Sequence, residues 1–175
     1  MRLPGRGEAL GILRDAGCSR AVVRHCMNVA RLAARIGGEL IDAESDVDLA
    51  LVEAGALLHD LGRSVTHGIG HGAVGGELAR GLGLPVEVVR IIERHVGAGI
   101  PADEALELGL PAGVYVPESL EEKLVCYADK LAEGAGEVEF GVTVGRMAEE
   151  LGEDHPAVGR MWALHGEIVG MLGSR

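Results

Sequence analysis

The sequence predicts an all-α fold, a single-domain bundle of about seven to nine helices over residues 1–175. Three observations lead there. Apolar residues make up 47% of the chain but aromatics only 2%, so Ala, Leu, Val and Ile must fill the interior, and with frequent Glu and Arg these are helix-forming types. Apolar residues recur at three- and four-residue spacing in one segment after another. No stretch alternates as a half-buried strand would, apart from Val114-Tyr115-Val116, which is too short to count. The 28 glycines are scattered singly and in pairs, as helix ends and close helix contacts require, not gathered into a linker.

The elements follow in order. A short helix over about 5–16 stops at Gly17. Ser19 offers an N-cap for a long helix to about residue 36, with Val22, Val29, Leu32, Ala33 and Ile36 as its apolar stripe and His25 inside it; Gly37-Gly38 ends it. Ser45-Asp46-Val47-Asp48 resembles a capping box before a helix carrying Val47, Leu51, Ala54, Leu58 and Leu61 on one face, with Gly62 as its C′ residue. His59 and Asp60 then fall in the last turn, and Gly55 and Ala56 leave room for a neighbour. After a polar loop over 66–70, His71 begins a helix to about Arg80. Pro85 suits the first position of the next, which runs through Val88, Val89, Ile91 and Ile92 to His95. Residues 101–117 are mostly loop, with a short helix near 103–108. Ser119-Leu120-Glu121-Glu122 is a capping box; its helix turns Leu120, Leu124, Val125, Ala128, Leu131 and Ala132 inward and ends near Gly134. A final pair, about 143–151 and 156–172, the second capped by Asp154, makes residues 141–173 a C-terminal layer. The stripe Val158, Met161, Trp162, Ile168, Val169, Leu172, with His165 inside it, reads as core or as a homodimer contact.

Charge and composition remove several function classes. The formal net charge of -11 repels a long nucleic acid, whose binding depends on Lys and Arg at phosphates. A small anionic substrate remains compatible if a metal or local arginines reverse the sign within a pocket. No membrane partner is expected, because the best apolar stretch, 49–58, is broken by Glu53, and residues 1–7 lack a signal-peptide hydrophobic region. Cys18, Cys26 and Cys126 show no C-x-x-C spacing and read as reduced core thiols of a cytoplasmic protein.

Six residues carry the chemistry: His25, His59, Asp60, His71, His95 and Asp129. Five lie on or beside apolar helix faces, where an unpartnered carboxylate costs several kcal/mol; nitrogen and oxygen donors gathered by folding remove that cost by binding a metal ion. Adjacent helical residues point about 100° apart, but in a last turn His59 and Asp60 can share a ligand, and the free carbonyl end favours a cation. The plain alternative is a capping His59 beside a solvated Asp60. Around Asp129 the helical neighbours Val125, Cys126, Ala132 and Glu133 offer no cation, and Lys130 is expected to face elsewhere; an arginine from another helix, Arg24 or Arg31, is the competing partner. His25 or His95 alone would read as a core histidine and His71 alone as a surface residue; their joint occurrence gives them weight. His67 rivals His71 for the same role. Cys26 and Cys126 lack the spacing of a structural zinc site.

This ordered set, with His59-Asp60 inside Leu57-Leu58-His59-Asp60-Leu61-Gly62-Arg63, Gly75 four residues after His71, and Ala128-Asp129-Lys130 at the end, resembles the HD-domain superfamily of metal-dependent phosphohydrolases. It looks like the branch whose signature reads His-Asp-Ile-Gly, with Leu61 in place of Ile. The resemblance spans about residues 20–134. It implies an all-helical domain with a metal site between helices, in which His25, His59, Asp60 and Asp129 hold a first ion. His71 and His95 match the two-metal branch, with Asp60 bridging. The expected reaction is attack of metal-activated water on the phosphorus of a nucleotide or other small phosphate ester. Asp60 is the central catalytic ligand, Arg63 a phosphate-gripping cation, and Lys130 and Arg94 further cations of that kind. Imidazole and carboxylate donors suit Fe, Mn, Zn, Ni or Co; the two-metal resemblance points first to Fe or Mn. Two other readings stay open: a di-iron oxygenase of the same superfamily, and a non-catalytic metal-bound regulatory protein.

Overall fold

A central helix is built from small and aliphatic residues, LALVEAGALL, and four other helices pack around it. The computed structural model describes residues 2–173. Nine α-helices occur among them: α1 (Arg6–Asp15), α2 (Arg20–Asp42), α3 (Leu49–Leu58), α4 (His71–Gly81), α5 (Val86–Arg94), α6 (Ala102–Glu107), α7 (Leu120–Leu131), α8 (Phe140–Leu151) and α9 (Pro156–Leu172). A 3-10 turn, Leu61–Ser64, follows α3, and a two-residue antiparallel hairpin, β1 (Ala132–Glu133) and β2 (Gly136–Glu137), follows α7. The fold is all-α. Among the described residues no helix is long and apolar enough to cross a membrane.

α3 is surrounded by α1, α2, α5 and α7. At Gly55 a Cβ would lie 2.4 Å from Ile91 Cδ1, so α5 rests directly on the α3 backbone. α2 and α7 pack against each other, and α8 and α9 lie against α7. One continuous core includes Leu13, Leu32, Leu57, Leu58, Ile92 and Leu124. A smaller apolar cluster of Ala73, Val96, Ile100, Ala105 and Tyr115 underlies the segment after α5.

Several boundaries differ from the sequence expectation, each for a local reason. α2 does not stop at Gly37-Gly38 but continues to Asp42. Gly37 is a contact glycine, because a Cβ there would meet Leu49 Cδ2 at 2.7 Å and Leu124 Cδ2 at 3.2 Å. The helix ends instead where Glu44 turns left-handed, at φ 64°. Asp48 alone caps α3, accepting from the Ala50 and Leu51 amides at 2.9 and 3.0 Å. Ser45 takes no part, and its own amide closes α2 by donating to the Leu40 carbonyl. Pro85 is the N-cap of α5, not its first residue. His155 rather than Asp154 caps α9, its Nδ1 accepting from the Ala157 amide. The hairpin leaves no signal in the sequence; two residues per strand are too few for alternation, and a side chain of α2, Asn28, holds it by donating to Gly134 O and Gly136 O. Trp162 and Val169 are about half exposed, so only part of the last stripe is core.

Gly62 is not a helix C′ residue either. It lies in the 3-10 turn, where a Cβ would fall 1.9 Å from His71 O and 2.6 Å from Gly75 N. Gly62 and Gly75 thus let the 3-10 turn lie against the first turn of α4 with no side chain between. That contact brings His71 to Asp60. A methyl group has no space against rigid backbone, so G62A should lower stability by about 1–3 kcal/mol in urea unfolding and reduce metal uptake measured by elemental analysis.

Candidate metal centre

α3 ends at Leu58, and the two residues between it and the 3-10 turn are His59 and Asp60. The helix stops pointing at the middle of the bundle, so both side chains are buried, His59 completely. α2 supplies His25 from one side, the start of α4 supplies His71, the C-cap of α5 supplies His95, and α7 supplies Asp129. All six predicted donors converge.

The two Asp60 oxygens face different partners. Oδ2 lies 3.9 Å from His25 Nε2 and 3.7 Å from His59 Nε2. Oδ1 lies 3.4 Å from His71 Nε2 and 3.5 Å from His95 Nε2. Asp129 joins the first group, its Oδ1 at 2.8 Å from His25 Nε2 and 3.5 Å from His59 Nε2. The donors therefore form two sets, His25 with His59 and Asp129, and His71 with His95, sharing Asp60 between them.

Backbone carbonyls fix the tautomers. His59 Nδ1 lies 2.8 Å from Ala56 O, His71 Nδ1 2.8 Å from Gly68 O, and His95 Nδ1 2.8 Å from Ile92 O. A carbonyl only accepts, so each Nδ1 carries the hydrogen and each neutral ring turns an Nε2 lone pair inward. This is the orientation in which imidazole binds a metal. Two features then fit a cation. His59 Nε2 is buried without a hydrogen-bond partner, a state that costs about 1–3 kcal/mol. His71 Nε2 and His95 Nε2 face each other at 3.0 Å, lone pair against lone pair. Ions ligated by these nitrogens would remove both costs.

Charge in the site is balanced locally. Arg63 Nε donates to Asp60 Oδ1 at 2.7 Å, and Lys130 Nζ donates to Asp129 Oδ2 at 2.5 Å and to His95 O at 3.1 Å. Lys130 therefore does not face elsewhere, as expected from its place in the sequence; it is the cation that Asp129 lacked, and neither Arg24 nor Arg31 fills that role. Burial opposes ionisation of Asp129, but Lys130 and His25 hold its carboxyl well below the usual range. Asp60 is likewise held low: burial opposes its charge and His59 and His95 favour it. Burial and the neighbouring His95 push His71 down to about 4, and burial lowers His95 too. His59 goes the other way; burial disfavours its charge, yet Asp60, Cys26 and Asp129 raise it well above the ordinary imidazole value.

The site opens through a cleft of about 320 Å³ lined by Ala21, Val22, His25, Asp60, Arg63 and His67. His67 is exposed at this mouth and is not among the converging donors, whereas His71 is. Arg94 turns away, paired with Glu118 and Glu122. Sequence reasoning set one neighbour aside: Cys26, fully buried, lies with His59 and Asp60 in a third possible donor group. Its only sequence signal was its position next to His25.

The HD-domain family model matches residues 22–134, a span that takes in every one of these donors. The chain belongs to the HD-domain family. It is 44% identical over 165 residues to an uncharacterized protein of Methanocaldococcus jannaschii, covering 94% of this chain and 97% of that one. It is 37% identical over 171 residues to a tRNA (cytidine(56)-2'-O)-methyltransferase of Thermoplasma volcanium, covering 98% of this chain but 48% of that protein. A ribonuclease Y of Cutibacterium acnes is 39% identical over 90 residues, covering 49% of this chain and 16% of the enzyme. The chain thus spans about half of the methyltransferase and a small part of the ribonuclease. No solved structure matches it significantly.

The raised proton affinity of His59 has a measurable consequence for this HD domain. Asp60 and Asp129 favour a proton on the ring, and a cation ligated there competes with that proton. Calorimetric titration with Zn²⁺ in buffers of different ionisation enthalpy should show net proton release at pH 7, and less in H59A.

Proposed function

We propose that this HD domain is a metal-dependent phosphohydrolase acting on a nucleotide or other small phosphate ester. The observation that carries the reading is Asp60, with each oxygen turned to a separate set of imidazoles and with a guanidinium at its open side. Divalent ions held by these donors supply a water whose pKa is lowered from 15.7 towards about 7–9 and neutralise phosphoryl oxygens.

The chain's own groups have distinct tasks. His59, His71 and His95 are almost fully buried and fixed by carbonyls, so the donors are held in place before substrate arrives. Lys130 occupies Asp129 Oδ2 and leaves Oδ1 turned towards His25 and His59. It is itself largely shielded from solvent and acts by positioning. Arg63 is partly exposed at the cleft and is the group placed to grip a phosphate oxygen. Two carboxylates against one ammonium and one guanidinium leave the protein part of the site near neutral, so bound cations make it positive despite the net charge of -11. The cleft volume, about 320 Å³, suits a phosphate with its sugar better than a duplex. The RNA-acting names of two relatives support phosphate esters of the nucleotide type.

The test is a panel of nucleoside monophosphates, cyclic nucleotides and short RNA oligomers incubated with Mn²⁺- or Fe²⁺-loaded protein, with release of phosphate or nucleotide measured. D60A and D129A should fall to background. R63M should lose about 10–100-fold in kcat/KM, mostly through KM, the equivalent of one charge-assisted hydrogen bond. Absence of turnover across the panel, or D60A as active as the parent, would overturn the proposal.

A further inference from the structure

We infer that Cys26 is a thiolate donor at the buried end of the centre, and that it biases this HD domain towards thiophilic ions; the inference rests on the metal-centre reading above. Cys26 follows His25 on α2 and is 0% exposed. Its Sγ, a ring nitrogen of His59 and an oxygen of Asp60 all lie within 4.8 Å of one another. Zinc–sulfur and zinc–nitrogen bonds of about 2.3 and 2.0 Å span at most about 4.3 Å, so the trio comes within reach of one ion where its N···S separation closes to that distance.

A second observation points to the same place. His59 is completely buried, and its Nε2, turned towards the carboxylates, has no hydrogen-bond partner. The other two thiols have local partners: Cys126 Sγ donates to His95 O and Gly97 O, and Cys18 Sγ to Leu61 O. Cys26 faces the His-Asp pair instead. On ligation the S–H bond breaks, a sulfur–metal bond forms, and the proton leaves to solvent, with no change of oxidation state. Sulfur is a soft donor that favours Zn²⁺ or Co²⁺ over Mg²⁺ or Mn²⁺. This end of the centre should therefore favour Zn²⁺ or Co²⁺ more strongly than imidazoles and carboxylates alone would.

Titration of the metal-free full chain with Co²⁺ separates the possibilities. A visible ligand-field band reports cobalt in the centre, and a near-ultraviolet band reports sulfur-to-cobalt charge transfer. The parent should show both; C26A should lose the near-ultraviolet band and keep the visible one, while C18A and C126A keep both. Zn²⁺ affinity, measured by competition with a chromogenic chelator, should weaken by about tenfold or more in C26A. A parent with the visible band alone, or a near-ultraviolet band that survives in C26A, would overturn the inference and leave the phosphohydrolase reading standing. Absence of both bands would end the metal-centre reading and this inference with it. Should C26A fail to fold, the double variant C18A/C126A, in which Cys26 is the sole thiol, decides: the band must persist there, and its absence overturns the assignment.

Discussion

The carboxylate of Asp60 is where the distant parts of this chain meet. One oxygen looks towards His25 and His59, the other towards His71, His95 and Arg63. The group is 3% exposed. A buried carboxylate is tolerated only when its surroundings favour the charge, so the helices around it are constrained to deliver nitrogen. α3 must end there, the 3-10 turn must lie flush on α4, and α5 must stop with His95 turned inward. The packing glycines serve that requirement: Gly55 admits α5 and Gly62 admits α4, each where a methyl group has no space.

The protein-only site is poised, not relaxed. Two carboxylates meet an ammonium and a guanidinium, so the charges sum to near zero. Yet one buried imidazole nitrogen lacks a partner, and two others face each other. These local costs sit within a bundle that is otherwise well packed and capped, as is common where function overrides stability. Lys130 reaches both halves, touching Asp129 and the carbonyl of His95. It couples the end of α5 to α7 across the centre.

Much of the fold was legible because helices advertise themselves locally. The stripe of α2, the Ser19 and Ser119 caps and the short helix after Pro101 depend on residues three or four apart, and they lie where the sequence places them. The differences arise where one residue type serves two roles. Gly37 reads as a terminator, but packing against Leu49 and Leu124 makes it an interior contact; Ser45 reads as a cap, but its amide belongs to the preceding helix. Lys130 reads as facing away from Asp129 because adjacent helical residues point about 100° apart, but its flexible four-carbon side chain curls back to its neighbour.

The sequence by itself determined the helical class and named the six side chains that converge. It did so because period and cap chemistry are short-range, and because imidazoles and carboxylates on apolar faces demand a partner. Only the tertiary structure decided how the donors divide around Asp60. It put His71 inside and His67 at the rim, and it brought Cys26 beside the His-Asp pair. Those outcomes depend on where whole helices lie against one another, and side chains over a hundred positions apart leave no trace of their separation in the order of residues.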